Sequence, residues 1–233
     1  MLAALQGSTS SLEAIHQEKK ELAVRNMRLI EHCLVKEGSV PELAISRVAP
    51  VMDSGVVMMK AEFNQAKLPS YLKTKSSGRR IIHTQDRVMT GAAFGIDAYP
   101  ENSIYEAKFK ICKSKSGDAK NMMFGAALDQ HSNNQWIGQV SASWSINRNT
   151  GRKVHSGNGA AYAEVTDPGS NGTTVSVVVN TQQGSLSFII NGKVEGNAYI
   201  DSTFKSKKIY PAVSIERKTD EIEFVSFAPY SYN

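Results

Sequence analysis

Along the C-terminal two-thirds of the chain, apolar side chains recur at every second position in one segment after another. This alternation constrains the fold more than any other feature of the sequence. Tyr105, Ala107, Phe109 and Ile111 fall on one side of an extended segment, with Glu106, Lys108 and Lys110 on the other, the pattern of a strand with one buried face. Val175, Val177 and Val179 repeat it. Leu186, Phe188 and Ile190 repeat it again directly before Asn191-Gly192, a pair suited to the left-handed backbone of a two-residue hairpin turn. Ile222 and Phe224 close the series. Short strands separated by Gly, Asn, Asp and Pro turns, with no helical period between them, predict an all-β fold, an antiparallel sandwich or barrel. With 233 residues the chain can bury one such core plus an extension, and 41% apolar against 21% charged residues is the balance of a globular protein.

The first third follows a different period. Residues 1–9 read as a flexible N-terminus, and residues 10–38 as an α-helix that Ser10 caps, Glu13 completes as a capping box and Gly38 ends. Leu12, Ile15, Lys19, Leu22, Asn26, Leu29 and Cys33 follow spacings of three and four, a heptad seam weakened by Lys19 and Asn26. The segment reads equally as a weak coiled coil or as an amphipathic helix packed on its own domain or on a partner, so association through residues 10–37 is expected in either form. Residues 39–78, broken by Pro41, Pro50 and Pro69, read as an irregular connector in which residues 46–63 can supply an edge strand. The polar run Lys73-Thr74-Lys75-Ser76-Ser77-Gly78 places the start of the main domain at residue 79, running to 233.

The formal charge of +5 and pI of about 9.1 look basic, yet most of the chain mixes both signs, as in Glu216-Arg217-Lys218-Thr219-Asp220-Glu221, the pattern of a solvated surface. Lys60, Lys67, Lys73, Lys75, Arg79, Arg80 and Arg87 are offset only by Glu62 and Asp86, but no stacking aromatics alternate with them. They read as a basic linker, which argues against a nucleic-acid partner. Cys33 and Cys112 lack metal-ligand spacing and fit a reduced compartment. No run of eighteen apolar residues occurs, so the expectation is a soluble intracellular chain, cytoplasmic and without a membrane span. Asn171-Gly172-Thr173 reads as a turn rather than a glycosylation site.

Several segments, in order, resemble the SPRY domain: Ile104-Tyr105-Glu106-Ala107, Met123-Phe124-Gly125-Ala126-Ala127, Ser143-Trp144-Ser145-Ile146, His155-Ser156-Gly157, Leu186-Ser187-Phe188 followed by Asn191-Gly192-Lys193, and Ile209-Tyr210-Pro211-Ala212-Val213-Ser214. The resemblance covers roughly residues 80–230. Two departures stand out, Ser145 where glycine is common and Pro168-Gly169-Ser170-Asn171-Gly172 in place of Gly-Asp. The resemblance implies a two-sheet, concanavalin-like sandwich like that of legume-type lectins, with Trp144 in its core and His155 in a structural turn. It also implies recognition of a peptide or protein through loops at one end of the sandwich, in the role of an adaptor, scaffold or structural subunit of a larger complex. Those loops fall here on Asp129, His131, Asn133, Asn134 and Trp136, and on Glu216, Arg217 and Lys218. Trp136 is expected as an exposed aromatic anchor beside hydrogen-bonding asparagines, and Arg217 as a planar fork for a carboxylate or carbonyl.

Catalytic patterns are weak by comparison. Glu221 and Glu223, two apart on a strand, sit about 7 Å from each other on one face, within range for paired acid and base work. Ile222 and Phe224 claim the opposite face, so the glutamates are expected to face water. His16, His32, His83, His131 and His155 are scattered without metal spacing, and no Gly-x-Ser-x-Gly elbow is present, so neither an enzyme nor a cofactor or metal site is expected. The alternative class is a carbohydrate-binding lectin in which Trp136 and Asn147 contact a sugar, although a galectin-type His-x-Asn-x-Arg run and an acidic calcium site are both missing.

Overall fold

The computed structural model describes residues 59–86, 91–114, 122–164 and 170–230. All fall in the second of the two units into which the chain divides, Met1–Val56 and Val57–Asn233. The helix and heptad seam expected over residues 10–38 lie outside the described residues, as do Cys33, His16, His32 and Arg87.

Among the described residues thirteen strands form two antiparallel sheets. In chain order they are β1 (Leu72–Lys75), β2 (Arg80–His83), β3 (Ala93–Phe94), β4 (Ile104–Lys113), β5 (Met123–Leu128), β6 (Ser143–Asn147), β7 (Arg152–His155), β8 (Asn158–Ala161), β9 (Thr174–Asn180), β10 (Ser185–Ile190), β11 (Lys193–Ile200), β12 (Ile209–Ser214) and β13 (Glu221–Pro229). The larger sheet runs β1-β2-β13-β4-β9-β10-β11 and the smaller β3-β12-β5-β6-β7-β8. A short 3-10 turn at Gln65–Lys67 and a single helical turn, α1 (Thr203–Ser206), complete the described elements.

The alternation read from the sequence is what closes this sandwich. Tyr105, Ala107, Phe109 and Ile111 of β4, Val175, Val177 and Val179 of β9, and Leu186, Phe188 and Ile190 of β10 are all buried. Ile222 and Phe224 of β13 join them, but the next core residue, Phe227, is three positions on, which a period of two cannot deliver. A register shift between Phe224 and Ser226 supplies the extra residue, and Arg79 donates to the displaced Val225 carbonyl at 2.9 Å. Phe109 and Phe224 then pack with ring centroids 4.6 Å apart, and Phe63 lies 5.6 Å from Phe224. On the smaller sheet Trp144 is 2% exposed and packs against Phe204 of α1 at 4.7 Å, which is the core position expected for it. The Asn191-Gly192 turn takes its positive φ values of 50° and 84° as read.

The sandwich begins earlier than residue 79. Leu72–Lys75, read as linker, is β1 and pairs with β2, so lysines 73 and 75 stand on an edge strand. Phe63 is 2% exposed within the core, bridges Gly95, and donates its N–H to the Gly78 carbonyl at 2.8 Å. Of the edge strand expected within residues 46–63, this bridge is the part that falls among the described residues. Polar composition misled at Lys73–Gly78 because a two-layer edge hairpin needs apolar residues on one face only, here Leu72 and Ile81.

Candidate functional site

β5 is buried along its whole length because both its faces are covered. Phe124, Ala126 and Leu128 face the other sheet, while Met123 and Ala127 belong to a second apolar cluster with Ala92, Phe94, Trp136, Ile137 and Ala212. The segment that follows β5 therefore does not project into solvent as a simple end loop. It folds back across the outer face of the smaller sheet, held by Ile137 N–H to Ser214 Oγ (3.2 Å), Gly138 N–H to Ser143 Oγ (2.7 Å) and Ser145 Oγ to the Ile137 carbonyl (3.1 Å). Gly138, at φ 88°, leaves the space that Ser145 fills, because a Cβ there would lie 2.3 Å from Ser145 Oγ. That pairing gives the serine a structural reason for standing where glycine is common.

The expectation that both loops start from one end of the sandwich needs correction. Leu128 pairs with Ile209 and Ser214 with Met123, so the two loops leave the β5–β12 pair at opposite ends. Folding back is what brings them together. The Asn133 carbonyl accepts from Ala92 N–H at 3.0 Å, and the Asn133 amide donates to the Lys67 carbonyl at 2.9 Å. The neighbouring Gly91 is packed so closely that a Cβ there would sit 1.8 Å from the Tyr71 hydroxyl. The Tyr71 ring lies 5.2 Å from His83, whose N–H donates to the Asp220 carbonyl while its own carbonyl accepts from Thr219 N–H. Asn133, Gly91, Tyr71, His83 and Asp220 thus form a continuous path joining the first loop to the second.

Within this frame the expected site residues divide into two groups. Trp136 is 8% exposed and is no surface anchor; its indole lies in the apolar cluster beneath the fold-back. His131 is buried beside Phe94 at 5.8 Å, and Glu216 is buried as well. Burial pulls the pKa of His131 below the usual histidine range, against backbone hydrogen bonds at Trp136 and Ser132 that raise it. It does the same for His83, against a backbone hydrogen bond at Gln85 and the Glu216 carboxylate. Burial pushes the Tyr71 hydroxyl up to about 12. Asp129, Asn134 and Lys218 are exposed, and Asn133 and Arg217 half-buried. Asp129 pairs with Lys67, Lys218 with Asp86 at 2.9 Å, and Arg217 N–H donates to Asp220 Oδ2 at 3.1 Å. Sequence reasoning missed Tyr71, His83 and Gly91, since each stands in a segment read as linker or as featureless.

The other sequence candidates also have structural positions. Glu221 and Glu223 do not simply face water: Arg80 bridges them, at 3.1 Å to Glu221 and 3.0 Å to Glu223. Burial raises the Glu223 carboxyl pKa, but hydrogen bonding and charge from Arg80 outweigh this and leave it below its usual value. His155 stacks on Trp144 at 5.0 Å with Nδ1 against the Ser143 carbonyl, a structural position. The lectin alternative loses both its candidate contacts, because Trp136 is buried and Asn147 Oδ1 accepts from Asn149 and Thr150 N–H within its own turn.

A two-sheet antiparallel sandwich with an outer fold-back over its smaller sheet defines the class of fold. The profile of the SPRY domain matches residues 104–227, more than half of the chain. The chain belongs to the SPRY domain family, whose members are commonly protein–protein interaction modules. Among solved structures, the SPRY domain of human HERC1 aligns with a TM-score of 0.55 at 16% identity, over 73% of this chain and 99% of that one. A human SPRY domain aligns at 0.56 with 14% identity, over 70% and 98%. The TRIM65 PSpry domain aligns at 0.54 with 8% identity, over 76% and 90%. These likenesses concern the fold. No curated protein matches the chain in sequence. Among the described residues no helix is long and apolar enough to cross a membrane.

Proposed function

We propose that this chain is a non-catalytic binding subunit, an adaptor or structural member of a larger assembly, that grips a protein or peptide through the surface joining loops 129–136 and 216–220. The observation that supports this reading is the path from Asn133 through Gly91, Tyr71 and His83 to Asp220. It gives two polar loops a shared rigid base and leaves Asn134 and Lys218 exposed and Arg217 half-exposed on it. A preformed surface of this kind spends little free energy on ordering, and Arg217 can offer a planar fork to a carboxylate or carbonyl. His131, Trp136 and Glu216 act in this reading as supports that fix loop shape.

Lysine cross-linking with mass spectrometry on the native complex tests the reading. Cross-links to the partner are expected at Lys67, paired with Asp129 of the first loop, and at Lys218 within the second, and not at Lys108 or Lys110 on the outer face of the larger sheet. Arg217→Ala should then weaken binding by about 2 kcal/mol, roughly thirty-fold, while lowering the melting temperature far less than truncation of the buried Trp136 does. Cross-links confined to Lys19, Lys20 and Lys36 would move the interface to the N-terminal extension instead.

A further inference from the structure

The two sheets have four edges among the described residues, and three of them are closed. β3 is two residues long, and residues 62–64 lie along it, with Asn64 N–H to the Phe94 carbonyl at 2.8 Å and Ile96 N–H to the Glu62 carbonyl at 2.9 Å. β11 is interrupted by register shifts, and its Gly196 and Ala198 carbonyls accept from the Tyr162 hydroxyl and from Lys153 Nζ. β1 carries exposed Lys73 and Lys75, the charged side chains that keep an edge from pairing. β8 is the least protected of the four: among the described residues it has no covering segment, no register shift and no charged side chain, and only its Gly159 carbonyl is taken by a side chain, that of Arg152. Asn158, Gly159, Ala160 and Ala161 are all exposed, uncharged, and paired to β7 without a register shift.

The ladder fixes which backbone groups of β8 point outward. Ser156 and Gly157, with φ of 52° and 74°, make the two-residue turn between β7 and β8, so the flanking pair His155 and Asn158 is hydrogen-bonded. Alternation makes Lys153 and Ala160 the next bonded pair. Gly159 and Ala161 therefore turn their N–H and C=O groups away from β7. Of these outward groups only the Gly159 carbonyl has a partner among the described residues, the Arg152 guanidinium. Arg152 itself is exposed and meets no carboxylate among the described residues.

We propose that the free edge of β8 is a docking site, separate from the two loops, for an extended carboxylate-bearing segment of another protein added as a further strand. On docking, a partner N–H takes over the Gly159 carbonyl, partner carbonyls accept from Gly159 and Ala161 N–H, and the released Arg152 guanidinium pairs with the partner's carboxylate. Charge selects this occupant over a second copy of the chain. Pairing β8 with itself would bring two Arg152 side chains together between molecules that each carry a net charge of +5.

The test uses the full chain and a short peptide of alternating threonine and valine with a central aspartate, beside the same peptide with asparagine there. Peptide binding is expected to slow amide hydrogen exchange at Gly159 and Ala161, and the aspartate peptide should bind about tenfold tighter than the asparagine one. Arg152→Gln should erase that preference. Gly159→Pro and Ala161→Pro each delete one outward N–H while sparing the ladder to β7, so each should weaken binding about tenfold. Unchanged exchange at both amides in the wild-type chain at saturating peptide would overturn the proposal, as would equal affinity for the two peptides. Protection of the same amides by raising protein concentration alone would overturn it in favour of self-pairing.

Discussion

Truncating Trp136 to alanine removes the largest side chain of the layer that covers the outer face of the smaller sheet. At 8% exposure the indole packs with Phe94, Met123, Ala127, Ile137 and Ala212. Roughly 200 Å² of apolar surface at about 25 cal/mol per Å² gives about 5 kcal/mol as an upper bound. Buried tryptophan truncations elsewhere cost about 3–5 kcal/mol, which for a domain of this size lowers the melting temperature by about 6–20 °C. Calorimetry of Trp136→Ala beside Arg217→Ala checks this. The tryptophan variant should melt early and lose partner affinity only as a consequence of loosening the fold-back, whereas the arginine variant should lose affinity with a much smaller fall in melting temperature. A Trp136→Ala protein that melts within about 2 °C of wild type would refute the packing argument, because no exposed residue in this layer could compensate such a loss.

Arg80→Met should destabilise the domain at pH 7 by about 1–3 kcal/mol, since it leaves Glu221 and Glu223 part-buried without their shared cation. Because the folded Glu223 pKa is depressed, the wild-type stabilisation is full above the unfolded value of about 4.3 and is lost as pH falls through the lower folded value. Urea titrations should therefore show the gap between variant and wild type shrinking from pH 7 to pH 3, and a constant gap would contradict it. His83 and His131 are held below the usual histidine range, so the unfolded chain binds more protons once pH drops below about 6.5. Stability should then fall by up to about 1.4 kcal/mol per pH unit for each histidine, and the His83→Leu, His131→Leu double variant should lose that slope. An identical slope in the variant would assign the acid sensitivity elsewhere.

The strands of the core were legible because each sets an apolar residue toward the other sheet at every second position, so β4, β9 and β10 wrote a period of two into the sequence, even though Ser176, Val178 and Asn180 on the alternate face of β9 are buried as well. The start of the domain was not, because β1 is a four-residue edge strand whose Lys73 and Lys75 serve its exposed side and look like linker. The loops were found through family resemblance, but the burial of Trp136 was hidden. Its partners Ala92, Phe94, Met123 and Ala212 come from three separate segments, and no local period announces a second apolar layer outside a sheet. The pairing of Gly138 with Ser145 shows the same limit: a residue that departs from the family pattern can be explained only by another residue brought beside it in space.

Phe63 has a mechanical consequence. Its ring is embedded beside Phe109 and Phe224, its N–H is tied to Gly78 at the β1–β2 turn, and the adjoining Asn64 and Glu62 are tied to Phe94 and Ile96 on the opposite sheet. A pulling force that enters the domain from the N-terminal side therefore meets this clamp before it reaches any strand of the larger sheet. The load divides between both layers instead of peeling β1 from its edge one bond at a time. Releasing the clamp requires the Gly78, Phe94 and Glu62 hydrogen bonds to break and an aromatic ring to leave the core, so the N-terminal side of the described sandwich is anchored where the two sheets share the strain.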